Sequence, residues 1–323
     1  MNPLSARPSV VVIQALPGLG DALWHLGACR AIAAASPGGV IALASPVRTQ
    51  SRQIFAAEPW LGAAVDLVRG ARGALSLARS LRTQHFERAV ILHHSPSIAF
   101  ATWAAGVNRR AGFGLGAQRI WLNDGAALPS RLANAHQIER CGALLESLGI
   151  AQAASEPDLA LPDGARERVA RRFDTLHGPW LVLAIGGSEA FKRWPEGRFA
   201  QLIERAEVQR FPNIFLLGGA GDADSGARIR AATRRQGVIP VFDLPIADST
   251  ALIARAGLLI GNDSGLMNLS LAVGTPAIGL FGATPPLWHD AKLHAVTPPG
   301  GPATGGMDAI SVEAVVAALN ARA

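Results

Sequence analysis

Asp263-Ser264-Gly265 follows the apolar run Leu258-Leu259-Ile260 and a break at Gly261-Asn262, and it opens an apolar helical pattern that runs to Ala272. A strand that turns into a helix this way aims the backbone N–H groups of the first helical turn outward, with Asp263 or Ser264 placed to cap them. A small Ser and a Gly let a ligand reach that backbone, so phosphate is the chemistry this end suits, with a plain helix cap as the competing reading. Gly186-Gly187-Ser188 offers further backbone N–H groups and a hydroxyl, the materials of an anion nest. Lys192 lies four residues on, just before Trp194-Pro195, where Pro can occupy a helix's first turn. Only two lysines, Lys192 and Lys292, stand among 30 basic residues, so a lysine inside this motif indicates that a compact ammonium was wanted. Asp222, after Gly218-Gly219-Ala220-Gly221, is placed like acids that accept ribose hydroxyls in nucleotide folds; an N-cap is its alternative, and Asp224 competes with it. Together these loops describe a nucleotide-diphosphate site in the second half of the chain. No Gly-x-x-x-x-Gly-Lys-Ser/Thr run exists, which disfavours a P-loop.

The first half offers different chemistry. Gly18-Leu19-Gly20-Asp21 turns a strand into a helix, but the third glycine of a dinucleotide fingerprint is Leu23, so that match is weak. What the turn presents is a carboxylate beside glycines that admit another molecule, against the simpler reading of Asp21 as a helix-starting acid. His93-His94-Ser95 lies at the carboxyl end of a strand, the edge where open α/β sheets bind ligands. Adjacent histidines on an extended segment point to opposite sides, so one at most faces a ligand and joint metal binding is disfavoured. Arg109, Arg110 and Arg119, with Gly112-Phe113-Gly114-Leu115-Gly116 between, read as a basic loop at a nearby strand end, or else as solvated charge.

The elements that must position these residues follow a regular rhythm. Val10–Ala15, Val40–Ala44, Val65–Val68 and Ala89–Leu92 read as strands, each followed by a helical pattern; the first such helix runs to about Ala35. Asn134–Leu148 reads as a long amphipathic helix, and Ala151–Gly164, with Pro157 and Pro162, as a linker. The rhythm then restarts with strands at Trp180–Ile185, Ile214–Leu217, Val238–Phe242, Leu258–Ile260 and Pro276–Phe281. The expected architecture is α/β: two doubly wound, mostly parallel sheets, with domains at 1–155 and 156–323 and a last helix, Ser311–Ala321, that could pack back on the first domain.

With 323 residues, 49% hydrophobic and 17% charged, each half can bury its own core and global disorder is excluded. No apolar run reaches the roughly 18 residues needed to span a bilayer. Val10–Ala15 runs at once into Pro17-Gly18, too short for a secretory signal, so a cytoplasmic protein is expected. Cys29 and Cys141 have no metal spacing and read as buried thiols. The net charge is +6, weighted to the first half, where an acidic partner fits; nucleic acid is disfavoured by scattered basic residues and the absence of tyrosine.

Gly18-Leu19-Gly20-Asp21, Arg109-Arg110-Ala111-Gly112-Phe113, His136-Gln137-Ile138-Glu139-Arg140, Lys192-Arg193-Trp194-Pro195-Glu196, Asp263-Ser264-Gly265-Leu266 and Pro276–Gly282 occur in this order. On these motifs, over nearly its full length, the chain resembles the glycosyltransferase family 9 heptosyltransferases, enzymes of lipopolysaccharide core assembly. The resemblance implies a GT-B fold, two Rossmann-like domains facing a central cleft, an N-terminal one for the acceptor and a C-terminal one for the nucleotide sugar. It implies inverting, metal-independent transfer of a heptose or related sugar from an ADP-sugar to an acidic, lipid-linked glycan, with no cofactor and with peripheral contact at the inner membrane. Asp21 matches the catalytic base; Lys192 and Ser188 match groups on the donor phosphates, with Gly186 and Gly187 in their loop; Asp263, Ser264 and Gly265 match the motif for sugar and phosphate. Asp222 matches only loosely, Gly187 stands where a threonine is common, and Asn268 stands where the family pattern has His. On the acceptor side the expected residues are Gly20, His93, Arg109, Arg110 and Arg119. A weakly catalytic nucleotide-sugar-binding homologue, motivated by Asn268, and a nucleotide-sugar epimerase are the alternatives.

Overall fold

In the computed structural model, residues 7–68, 71–152, 159–286, 290–302 and 304–322 are described. The core of the expected linker, residues 153–158, lies outside them. The chain divides into two compact units, Met1–Glu156 and Pro157–Ala323.

The first unit begins with Val10–Ile13 (β1), whose four β-branched residues are all buried. It continues through Leu19–Trp24 (α1), Leu26–Ala34 (α2), Ile41–Ser45 (β2), Ser51–Ile54 (α3), Leu61–Asp66 (β3), Ala71–Gln84 (α4), Arg88–Ile91 (β4), Pro96–Ala104 (α5), Arg109–Gly112 (β5) and Gln137–Ser147 (α6). The sheet order is β3-β2-β1-β4-β5, and each neighbouring pair is parallel. Helices cover both faces of such a sheet, which is why β1 and β2 are buried along their whole length and read as unbroken apolar runs. The order reverses between β1 and β4, the place where open α/β sheets leave a crevice at their carboxyl edge.

The second unit repeats the plan: Asp163–Arg172 (α7), Trp180–Ala184 (β6), Glu196–Ile203 (α8), Asn213–Leu217 (β7), Ala223–Ala231 (α9), Val238–Val241 (β8), Ile246–Arg255 (α10), Leu258–Asn262 (β9), Gly265–Ala272 (α11), Ala277–Leu280 (β10), Leu293–Val296 (β11) and Val312–Asn320 (α12). Its parallel sheet runs β11-β10-β9-β6-β7-β8, with the reversal between β6 and β9. Its core gathers Leu181, Leu183, Phe199, Ile260, Ile278 and the α12 residues Val312, Val315, Val316 and Leu319. The apolar face of the last helix is taken up inside the second unit, against α8.

Three local features depart from the pattern expected of the sequence. The first helix is broken at His25, which closes α1 and starts α2. Gly261-Asn262 does not break β9 but completes it, because both residues pair with β10. β5 and β11 were not anticipated: Arg109-Arg110-Ala111-Gly112 and Leu293-His294-Ala295-Val296 are outermost strands and carry less of the apolar signal. Cys29 and Cys141 are buried free thiols, and burial pushes both up, Cys141 to about 12. No helix among the described residues is long and apolar enough to cross a membrane.

Candidate functional site

At the reversal in the second sheet, β6 and β9 lie side by side with Ala184 opposite Gly261, so the loops that leave them emerge together. Asn262, fully buried, staples those loops: its Nδ2 donates to the carbonyls of Ile185 (2.8 Å) and Gly186 (3.2 Å), and its Oδ1 accepts from the Trp194 N–H (2.9 Å). This fixes both ends of the segment that carries Ser188 and Lys192. The Lys192 Nζ lies 3.3 Å from Asp263 Oδ2, and the Thr284 hydroxyl donates to the same oxygen at 2.7 Å. Loops from β6, β9 and β10 therefore converge on one carboxylate. With side-chain exposures of 21% and 16%, Lys192 and Asp263 are shielded enough for their charges to act at short range while staying open to a ligand.

Ser264 is the N-cap residue of α11, yet its side chain makes no capping bond; its Oγ is buried with no hydrogen-bond partner among the described residues. Asp263, the other expected cap, is engaged by Lys192 and Thr284. Among the described residues the first-turn N–H groups of α11 thus keep no side-chain acceptor, and the positive end of the helix lies beside an ammonium. Gly265 is the first helical residue. Asn268 is 7% exposed and turned inward, its Nδ2 donating to the Ser264 carbonyl at 3.0 Å. An anion placed here meets a cation, backbone donors and a hydroxyl, the groups that bind phosphate.

Asp222 is held by groups of its own and a neighbouring loop. Its Oδ2 accepts the Gly219 N–H (2.9 Å), its Oδ1 pairs with Arg193 Nη1 (2.9 Å), and the residue is 8% exposed. The carboxylate is pressed so closely on the backbone that a Cβ at Gly186 or Gly218 would meet it at 2.5 or 2.7 Å. It accepts from the start of its own turn rather than capping α9 with its side chain, and it serves as a brace: Arg193 also donates to the Gly187 carbonyl through Nε (3.1 Å) and Nη2 (2.8 Å), locking the two glycine loops together. Ser188 is exposed and Gly187 half-buried.

In the first unit, Asp21 is the third residue of α1 and its Oδ2 accepts the Gly18 N–H at 2.7 Å. The same Gly-x-Gly-Asp turn recurs at Gly219-Ala220-Gly221-Asp222 with the same backbone bond, but Asp21 is half-buried where Asp222 is enclosed. One turn after Asp21, His25 is 1% exposed, and Gln137 Nε2 contacts both its Nε2 (2.9 Å) and the Leu92 carbonyl (2.6 Å). Because the amide supplies the hydrogen in both contacts, Nε2 of His25 accepts and the ring proton is assigned to Nδ1. Neither His25 nor Gln137 was singled out as functional from sequence, although His25 sits at the i+4 spacing that puts it on the Asp21 side of a helix.

Burial pushes His25 down to about 3; the Asp21 backbone carbonyl opposes this, and His93 and His136 add to it. A histidine depressed in the folded state contributes stability that is present above its unfolded value near 6.5 and is lost as pH falls toward 3. Acidification from pH 7 to pH 5 is expected to remove about 2 kcal/mol on this account, roughly 5 °C of melting temperature. Melting curves of wild type and His25→Gln across that range check it; equal slopes would remove His25 as the cause.

His93 and His94 do not point to opposite sides: their rings stack at 4.6 Å with an interplanar angle of 21°. β4 ends at Ile91, so alternation no longer holds, and His93 Nδ1 accepts the Ser95 N–H at 3.1 Å. Gly20 lies in α1 near Asp21, and His93 follows β4 at the same edge of the sheet. Arg109 and Arg110 do not join them. They begin β5, in register with Arg88 and Ala89, and so lie at the amino edge, up to about 10 Å along the strands from the carboxyl ends. There Arg109 pairs with Asp124 (3.0 Å), while Arg110 donates to the carbonyls of Trp121 (2.8 Å), Val107 (2.6 Å) and Asn108 (3.1 Å). Arg119 is exposed on the 3-10 turn Gly116–Trp121. Of the His136–Arg140 motif, His136 caps α6 by accepting the Ile138 N–H (3.3 Å), and Arg140 lies over the Phe113 ring. Among the described residues no three His, Cys, Asp or Glu side chains gather to hold a metal.

The family model for "Glycosyltransferase family 9 (heptosyltransferase)" matches residues 74–294. Lipopolysaccharide heptosyltransferase 2 of Escherichia coli strain K12 is 26% identical over 299 residues, 85% of this chain and 84% of its own. The structure of E. coli ADP-heptose LPS heptosyltransferase II superposes with a TM-score of 0.79 at 23% identity, covering 97% of each chain. A glycosyl transferase family 9 protein from Veillonella parvula superposes with a TM-score of 0.83 at 19% identity, covering 97% of this chain and 96% of its own. The fold is of the GT-B class, with two Rossmann-like units.

Proposed function

The chain belongs to glycosyltransferase family 9, and from that premise we propose that it is an inverting, metal-independent enzyme that moves a heptose from ADP-heptose to an acidic, lipid-linked lipopolysaccharide-core acceptor. The second unit holds the donor and the first supplies the base and the acceptor contacts. The observation that carries this reading is the convergence of Lys192, Asp263 and Thr284 beside the start of α11, whose Ser264 hydroxyl is buried without a partner among the described residues.

In the proposed reaction the acceptor hydroxyl oxygen bonds to the anomeric carbon while its proton passes to the Asp21 carboxylate. The bond from that carbon to the donor phosphate breaks, and its electron pair leaves on ADP. Charge growing on the leaving phosphate is met by the Lys192 ammonium, the Ser188 and Ser264 hydroxyls and the N–H groups of α11. These groups supply the positive potential that a bound cation supplies in other transferases. Gly20, His93 and Arg119 remain the acceptor candidates. The enzyme works at the cytoplasmic face of the inner membrane, where a lipid-borne acceptor is met.

The test is transfer of heptose from ADP-heptose to a heptose-deficient core acceptor, read by mass spectrometry with and without EDTA. Equal product in both is expected; a loss with EDTA that Mg²⁺ or Mn²⁺ restores would overturn metal independence. Asn268 favours a second reading, a homologue that binds ADP-sugars and transfers slowly, because an amide donates a hydrogen bond but cannot become cationic. Tight ADP-heptose binding without transfer to any core acceptor would establish that reading instead.

A further inference from the structure

One face of the first unit is apolar, aromatic and basic at once. α5 carries no charged residue, and while Ala99, Ala101 and Thr102 are buried, Phe100 and Trp103 are 36% and 50% exposed. A helix that is apolar all round is ordinarily covered on every side. Beside it, Ile120 on the Gly116–Trp121 turn is 69% exposed, and the Trp121 ring lies 4.9 Å from that of Phe100 and 5.1 Å from that of Trp103. On the other flank α4 packs along α5 and exposes Leu75, Arg79 and Arg82, which share one helical face. The Arg82 guanidinium donates to the Ala104 carbonyl at the end of α5, joining the two helices.

The charge around this face has one sign: α4, α5 and the Gly116–Trp121 turn together carry arginines, Arg79, Arg82 and Arg119 among them, and no acid. We propose that the Phe100–Trp103–Ile120 surface and its arginine rim dock the protein on an anionic lipid bilayer. Indole rings settle at the headgroup level, where an apolar body and a polar N–H are both satisfied, and guanidinium groups pair with headgroup phosphates. A second copy of this chain fits poorly, because a twofold contact would press the same arginines against one another. The inference extends the membrane-facing part of the proposed function; the vesicles used to test it carry no acceptor, so docking and transfer fail independently.

The full chain is sedimented with phosphatidylcholine vesicles and with the same vesicles doped with phosphatidylglycerol. Partitioning about tenfold stronger on the anionic vesicles is expected, weakening as salt is added. Trp103→Ser with Ile120→Ser is expected to lower it about tenfold and Arg79→Gln a further few-fold, with the melting temperature near wild type. Wild-type tryptophan emission is expected to be quenched by brominated lipids, a readout that needs no variant. Equal partitioning on both vesicles, no quenching, or unchanged binding by the folded double variant would overturn the proposal. So would a wild-type dimer that the double variant dissociates while vesicle binding stays the same, since the face would then belong to a second copy.

Discussion

Asp21→Asn is expected to lower turnover about 10³-fold while donor affinity stays within a few-fold of wild type. The substitution separates the helix-starting role of this carboxylate from its proposed role as base. As a helix-starting residue, Asp21 accepts the Gly18 N–H at 2.7 Å, and an asparagine oxygen in the same place accepts it equally well, so α1 should persist. As a base, the side chain must take a proton from the acceptor hydroxyl, which an amide cannot do. Steady-state rates with ADP-heptose and core acceptor, together with titration of ADP, check both halves. A variant within tenfold of wild-type turnover would leave Asp21 as a cap only, and the reaction would need another base.

The second large effect is expected at Lys192. Removing its ammonium in Lys192→Ala takes away the side-chain cation that contacts Asp263, and a loss of about 10²–10³ in kcat/KM is expected. Lys192→Arg keeps the charge but replaces a compact, rotatable head by a planar fork, so an intermediate loss is expected rather than full rescue. Stability should change little by comparison, because the pair at 3.3 Å is partly open to solvent and Asp263 keeps its bond from Thr284. Full activity in Lys192→Ala would move the donor phosphates away from α11.

The strands that proved readable are those buried on both faces. β1, β6 and β9 have no polar alternation to confuse the pattern, and the Gly-rich turns after them mark the carboxyl edge. The outermost strands were hidden for the opposite reason: Arg109-Arg110-Ala111-Gly112 looks like a basic loop until its register with β4 is seen. That omission reversed the placement of its arginines, since the two ends of an unrecognised strand look alike. Lys192 was legible through its rarity and its place before Trp194-Pro195. Thr284 was not, because its contact with Asp263 spans 21 residues and depends on β9 and β10 lying side by side. Asp222 was ambiguous between ribose and cap, and its pairing with Arg193 was not legible because it joins two loops that follow different strands.

The interruption at His25 leaves α1 with six residues, far below the length at which a helix holds itself together in water. It survives as a tethered plug, hitched at its start through Gly18 and at its end through the Gln137 amide that also grips Leu92. A segment restrained at both ends has little freedom to wander, so its amide hydrogens should exchange with solvent slowly for so brief a helix. Cutting the rear tether, as Gln137→Ala would, should set that exchange running well ahead of any change in global unfolding.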